Sequence, residues 1–477
     1  MKITCKILLL ILAACLLAVP LAGCSKEEAP NPGAVGGDNS EVETDEPEPP
    51  HVTYNGTPVT IFTWQPFYTD FILKEEDAYV NAVSQALWER NLAVEEKLDV
   101  TIDYISIPGH YPEMNNFINS LEASVSVGDA AFDIVQQYSL AAAVATVKGL
   151  YLDIAQNDEV NLTGEYWPAN IRDNIAYQNK LYFLTGDIAP TVLANAFCIG
   201  YNKDMLRNLD LESPYTLYKN NEWTWTKFFE MCKELYDDQG APGVDDDDRY
   251  AMDMSEVNAY DAVYFSAGLR LIEKGADGKL MISEDFRGDT AATLFSKMLD
   301  FVKSEDVVFP AKYFGNFSAG NSLFSLITMG SVFENVDHAI APMPKYAASQ
   351  DGYYTVSGMN VSIFSIPYDT PSFEVSGAVM EFLAKESYKT VTPALFEDVF
   401  KLQISDSPEE AEMFDAVRKS LVYDFGVLYG ERLVIYGVFR NGLKAGDSDW
   451  GSRSKTAYEN ASTRLETLVG VLEELKR

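Results

Sequence analysis

Histidine is almost absent from this chain: His51, His110 and His338 are the only three in 477 residues. None stands in a His-x-x-x-His spacing, so a helical histidine metal site has no foothold. Cysteine is scarce as well. Of five cysteines, Cys5, Cys15 and Cys24 belong to the N-terminal apolar segment, which leaves Cys198 and Cys232 for the body. A body of this size therefore depends on its core and not on cross-links. Both remaining thiols fall among small or apolar neighbours and read as buried. Basic residues are few, 36 against 72 acids, for a net charge of −36. Such a surface repels nucleic acid and anionic lipid, and it offers no patch for a phosphate-rich partner. There is no Gly-x-Ser-x-Gly elbow and no glycine-rich phosphate loop. Acids are plentiful enough for a paired-carboxylate glycosidase, but no short motif fixes such a pair.

What is present begins with Lys2 and Lys6 ahead of an apolar run, Ile7 to Val19, too short for a stable membrane span. A positive start and an apolar middle make a signal peptide, expected over residues 1–23. Its end, Leu21-Ala22-Gly23-Cys24, resembles the lipobox of bacterial lipoproteins, and the alternative is an ordinary secretory signal with a chance cysteine. The resemblance implies lipidation at Cys24 and a body anchored on the extracytoplasmic face of the cell membrane. Residues 24–56 carry five prolines, several glycines and eight acids against Lys26. Nothing there can bury a core, so the stretch is expected to be a disordered acidic tether.

Folded sequence begins near Thr57. Val59, Ile61 and Thr63 alternate in a first strand, followed by Trp64-Gln65-Pro66-Phe67-Tyr68, an expected aromatic loop. Val83, Leu87, Val94 and Leu98 recur with helical spacing up to Asp99. Val100, Ile102 and Tyr104 form a second strand. Met114, Phe117, Ile118, Leu121 and Val125 form another helix, closed by Gly128. Phe132 to Gln136 is a third strand, leading to Tyr138 and Ser139. The β-α-β-α-β order predicts a parallel sheet covered by helices, with ligands beyond the carboxyl ends of its strands. The stretch Asn179–Leu206 reads as two strands, Leu181–Leu184 and Ala194–Tyr201, around a loop at Gly186, Asp187 and Pro190. Asn202 or Asp204 is expected to cap a helix burying Met205, Leu206 and Leu209. Thr224 is a second expected cap.

Several segments, in order, resemble the family 1 extracellular solute-binding proteins of ABC importers. They are Leu121–Val135 with its Gly128-Asp129 step, Lys180-Leu181-Tyr182-Phe183-Leu184, and Tyr201-Asn202-Lys203-Asp204-Met205-Leu206. Glu222-Trp223-Thr224-Trp225, Phe317-Ser318-Ala319-Gly320-Asn321 and Ala341-Pro342-Met343-Pro344 continue the series. The resemblance implies an α/β fold of two lobes, the type II periplasmic-binding-protein-like arrangement, joined by crossing strands with the ligand cleft between them. Lobe one is expected at 57–192 plus 357–393, and lobe two at 193–356 plus 394–477. It also implies a monomer that is not an enzyme, needs no cofactor or metal, captures a sugar or oligosaccharide and delivers it to an ABC transporter permease. A secreted glycosidase or a peptide-binding lipoprotein is the alternative.

Sugars present apolar C–H faces and a rim of hydroxyls, which aromatic rings and paired Asp, Asn and Gln groups match. On that chemistry the ligand-binding candidates are Trp64, Tyr68, Tyr138, Asp187, Tyr260, Phe265, Asn360 and Trp450. Tyr260 and Phe265 read equally as core, and Trp450 as either packed or used. The run Asp245–Asp248 lacks the glycine of a calcium loop and reads as a solvated charge run. Hinges are expected near Ala189–Ala194 and Thr355–Met359.

Overall fold

The described residues open with three parallel strands, β1 (Thr57–Gln65), β2 (Val100–Pro108) and β3 (Ile134–Tyr138). The computed structural model describes residues 52–65, 70–240, 245, 247–255, 257–396 and 407–475. Strand β1 pairs with β2 on one side and β3 on the other. Its residues from Ile61 to Trp64 are all buried, because helices cover both faces of the sheet. Phe62 stacks on Phe117 at 4.2 Å and on Phe132 at 4.3 Å, which ties one face to the helix Met114–Val127.

Local signals set the helix ends. Ala82–Leu98 starts in a capping box: Asn81 accepts from the Ser84 amide at 2.8 Å, and Ser84 Oγ accepts from the Asn81 amide at 3.0 Å. It stops at Asp99, whose φ of 50° is left-handed. Met114–Val127 stops at Gly128, φ 66°, where glycine carries no steric penalty. Gly109 is needed for a different reason. A Cβ there would lie 2.7 Å from Trp64 Cβ and 2.9 Å from Phe117 Cδ2, so only glycine lets the chain turn tightly out of β2.

A second sheet follows. It holds β4 (Phe197–Asn202), β5 (Tyr250–Asp253), β8 (Val307–Val308), β9 (Ser322–Thr328) and β10 (His338–Ala341), in the order β10-β4-β9-β5-β8. A separate ribbon pairs β6 (Ile272–Lys274) with β7 (Leu280–Ile282). The chain then returns to the first sheet, where β11 (Ser362–Ser365) lies antiparallel to β3. The first sheet is thus built from two stretches separated by the whole of the second.

Three segments run side by side where the sheets connect. The Phe197 amide donates to Val356 O at 3.1 Å, and the Gly358 amide to Asn195 O at 2.8 Å. Thr355 donates its amide to Ser420 O and accepts that of Val422, both at 2.8 Å. The helix Pro408–Ser420 packs on β10, while Gly430–Leu433 packs on the helix Ser139–Val147 beside the first sheet.

Some sequence expectations change. Leu181–Leu184 is no strand: only Leu184 bridges, exchanging both backbone hydrogen bonds with Phe364 at 2.8 Å. The strand expected at Ala194 begins at Phe197, because Pro190 with its preset φ starts the short helix Pro190–Ala194. Asn202 caps its helix, accepting from the Met205 amide at 3.0 Å, and Leu206 is buried, but Leu209 is 41% exposed. Thr224 caps the helix Trp225–Met231 through the Lys227 amide at 3.3 Å.

Candidate functional site

A cleft of about 580 Å³ lies at the junction of the two lobes. The first lobe lines it with His110 and Tyr111 just beyond β2, and with Tyr138 at the end of β3. The crossing segments add Asn195, Phe197, Gly358, Met359 and Asn360. The second lobe adds Thr328 at the end of β9, Asn258 and Arg440, and the stretch from Gly430, which packs on the helix Ser139–Val147, adds Glu431, Val434 and Tyr436. Strand ends are where an α/β sheet offers side chains to a ligand, since the backbone beyond them is no longer paired.

Hydrogen bonds fix the polar lining before any ligand arrives. His110 Nε2 meets Asn360 Oδ1 at 2.9 Å. Asn195 Nδ2 donates to Thr191 O at 2.9 Å and to Asn360 O at 3.4 Å. Ser139 Oγ donates to Met359 O at 2.6 Å. On the opposite wall Arg440 Nη1 donates to Asp261 Oδ2 at 2.5 Å and to Asn258 Oδ1 at 3.1 Å. Asp261 is 3% exposed, and burial pushes its carboxyl up to about 6 against the pull of Arg440. Burial also holds the Tyr138 phenol well above its ordinary value, with Glu431 and Tyr111 adding to the effect.

The structure brings together two of the residues expected from sequence, Tyr138 and Asn360. Tyr68 and Cys24 lie outside the described residues. The others sit elsewhere. Trp64 is a strand residue and not a loop aromatic: it is fully buried in β1, and its Nε1 donates to Ser362 Oγ at 3.1 Å. Its ring lies under the cleft, 5.4 Å from Tyr138 and 6.3 Å from His110, so it carries the two side chains that line it. Asp187 is buried behind the crossing, bound to Thr392 and facing Arg418 at 3.5 Å. Tyr260 and Phe265 are both 1% exposed, on the helix Tyr260–Ser266 that also carries Asp261. Trp450 opens the last helix, Trp450–Glu474, and packs against Phe295 at 4.8 Å and Phe286 at 5.5 Å.

Sequence reasoning missed His110, Tyr111, Asn195, Asn258, Glu431, Tyr436 and Arg440. The last three come from a stretch with no clear periodicity. Its only signal was Gly437, whose φ of 78° turns the chain between Tyr436 and the helix Val438–Ala445.

Beneath the first lobe's share of the cleft lies a buried polar cluster. Asp70 is fully buried and accepts from the Thr191 amide at 2.9 Å, Thr191 Oγ1 at 3.0 Å and Gln136 Nε2 at 3.0 Å. Arg90 donates to Asp70 O at 2.8 Å and to Ser387 Oγ at 3.0 Å. The cluster clamps the helix Pro190–Ala194 onto the first sheet. Asp248 is likewise satisfied within its own loop, by Tyr236 Oη at 2.9 Å and the amides of Gln239 and Asp245 at 2.7 and 3.0 Å. Among the described residues no group of three or more His, Cys, Asp or Glu side chains is placed to hold a metal ion. Cys198 and Cys232 are both free and buried. No helix of the described residues is long and apolar enough to cross a membrane.

No family model matches the chain, and no curated protein matches it in sequence. Solved structures do match. The sugar-binding protein MalE from Xanthomonas citri is 16% identical over 88% of this chain and 100% of its own, with a TM-score of 0.59. This chain has the two-lobed fold of the extracellular solute-binding proteins. The solute-binding protein from Staphylococcus aureus, solved with maltose, is 12% identical over 88% and 100%, with a TM-score of 0.57. A cyclo/maltodextrin-binding protein solved with maltotetraose is 14% identical over 88% and 97%, with a TM-score of 0.53. The cleft lies at the junction between the two lobes of that fold.

Two outcomes follow from these placements. Trp64→Ala is expected to lower unfolding free energy by about 3–5 kcal/mol, the cost of emptying a buried aromatic site, read by urea titration. A loop aromatic would cost less than about 1 kcal/mol by the same measurement. The second concerns pH. Burial raises Asp261 and Asp424 to about 6, and it raises Asp70, Asp187 and Asp253 as well. A carboxyl raised by folding binds its proton more tightly in the native state. Its contribution is full below the ordinary carboxylate range and is lost as pH climbs through about 6. Thermal melts are expected to show a melting temperature several degrees higher at about pH 5 than at about pH 7.5. A melting temperature that rises from about pH 5 to about pH 7.5 would mean that these groups stay ionised.

Proposed function

We propose that the protein captures a small sugar or oligosaccharide outside the cell and delivers it to an ABC transporter permease without chemical change. The observation that carries this reading is one cleft lined from both lobes by aromatic rings and by amide, hydroxyl and guanidinium groups already held in place. Tyrosine rings suit the apolar faces of a sugar, and Asn195, Asn258 and Asn360 offer paired donors and acceptors to its hydroxyls. Two of the neighbours in fold are sugar-binding or maltodextrin-binding proteins by name and the third was solved with maltose, which agrees with this reading. Ligand contacts on both walls would favour a closed state, because a ligand shifts an equilibrium by its differential affinity for the two states. The permease would read that closed surface. Lipidation of Cys24 would keep the body at the membrane, at the end of the acidic tether.

An enzymatic reading finds less support. His110 Nε2 is engaged by the Asn360 side chain, and Asp261 is closed off by Arg440. The cleft therefore keeps Glu431 as its one open carboxylate among the described residues, where a glycosidase needs two.

Calorimetric titration against mono- and oligosaccharides, amino acids and short peptides tests the reading. A carbohydrate is expected to bind saturably and to be recovered intact. Tyr111 is 54% exposed, so Tyr111→Ala is expected to weaken that binding about tenfold at an unchanged melting temperature. Binding of peptides or amino acids alone, or catalytic release of product, contradicts it.

A further inference from the structure

The charges in the cleft do not balance, and the imbalance narrows the ligand. Two charged side chains line it, Arg440 and Glu431. Arg440 is already neutralised inside the wall: its Nη1 is held by Asp261 at 2.5 Å and by Asn258 at 3.1 Å, and Asp261 is 3% exposed. Glu431 is exposed in the cleft, and no cation of the described residues pairs with it. The wall therefore carries one uncompensated negative charge. Around it stand Tyr111, Tyr138 and Tyr436, whose ring faces are themselves electronegative. Tyr138 is close enough to Glu431 for the carboxylate to bear on its phenol, while the Tyr436 phenol is held by Asp261 and lies near Tyr138.

Lobe closure removes water from this carboxylate. An anion enclosed without a counter-charge is costly, and neutral hydroxyls would satisfy its lone pairs but leave the charge. A net charge of −36 for the whole chain makes that field stronger and concentrates cations near the cleft. A protonated amine meets both demands: it donates hydrogen bonds to Glu431 and its charge sits against the tyrosine faces.

We propose that the ligand carries a protonated amine seated on Glu431, so that the solute class is an amino sugar or an oligosaccharide containing one. This rests on the carbohydrate reading above for the sugar and on the cleft's own charges for the amine.

Three oligosaccharides of matched length and the same β-1,4 backbone test it: glucosamine oligomers, their N-acetylated counterparts, and cello-oligosaccharides. They differ at C2 only, as ammonium, amide or hydroxyl. Calorimetry on the full chain is expected to give the glucosamine series at least about a tenfold advantage over both others. Glu431→Gln is expected to bring the three affinities together, with an unchanged melting temperature. Equal or tighter binding of the hydroxyl or acetyl series overturns the amine assignment and leaves the carbohydrate reading standing. If no sugar binds but a simple alkyl diamine does, and Glu431→Gln abolishes it, the amine assignment holds and the carbohydrate reading falls. If neither class binds, both fall.

Discussion

The pairing of Asn195–Phe197 with Val356–Gly358 is the constraint on which the rest of this structure depends. Two chain segments almost 160 residues apart in sequence are held edge to edge by backbone hydrogen bonds of 2.8 and 3.1 Å. Their side chains add to the tie, with Thr355 Oγ1 donating to Phe197 O at 2.7 Å and Ser357 Oγ to Val192 O at 2.9 Å. Because the crossing is narrow, it connects two separately built sheets without merging them. Because it is hydrogen-bonded, it holds them at a defined spacing, and the cleft is the space that results. A third segment, Ser420–Val422, runs alongside Thr355 and completes the joint. Motion at the cleft must then come from dihedral changes in a handful of residues beside these bonds, which is how hinges absorb domain closure.

The polar groups near the joint divide into those that hold it and those left for a ligand. Asp70, Thr191, Gln136 and Arg90 are hydrogen-bonded among themselves and to Asn91, Ser362 and Ser387, so the buried cluster is satisfied and stiffens the base of the first lobe. Asp261 does the same for Arg440, fixing the guanidinium at the cleft surface. The groups that face the cleft beside these are Asn195, Asn258 and Asn360, the tyrosines and Glu431. The fold thus spends its strongest electrostatic contacts on position and leaves weaker, directional ones for recognition.

Much of the architecture was legible in the sequence because local physics decides it. Asp99, Gly128, Asn202 and Thr224 end or begin helices through backbone conformation or a single side-chain bond, and each acts where the sequence placed it. The parallel β-α-β-α-β order was legible for the same reason. The site was less so. Alternation identifies an outward face only on a half-buried strand, and β1 is covered on both sides, so Trp64 points into packing and not into the cleft. Phe265 and Trp450 are large aromatics beside loops, and their destination depends on which helices lie over them, a long-range fact. Glu431, Tyr436 and Arg440 reach the cleft from a stretch more than 200 residues beyond β4, and no local pattern announces such a return.

The most direct test of a cleft worked by both lobes is a pair of crystal structures, with and without a bound carbohydrate. The account predicts ligand density between Tyr111 and Tyr138 on one side and Asn258, Tyr436 and Arg440 on the other. The lobes would be rotated together about the crossing, with both sheets internally unchanged. Density that touches only one lobe, or that lies outside this cleft, would contradict it.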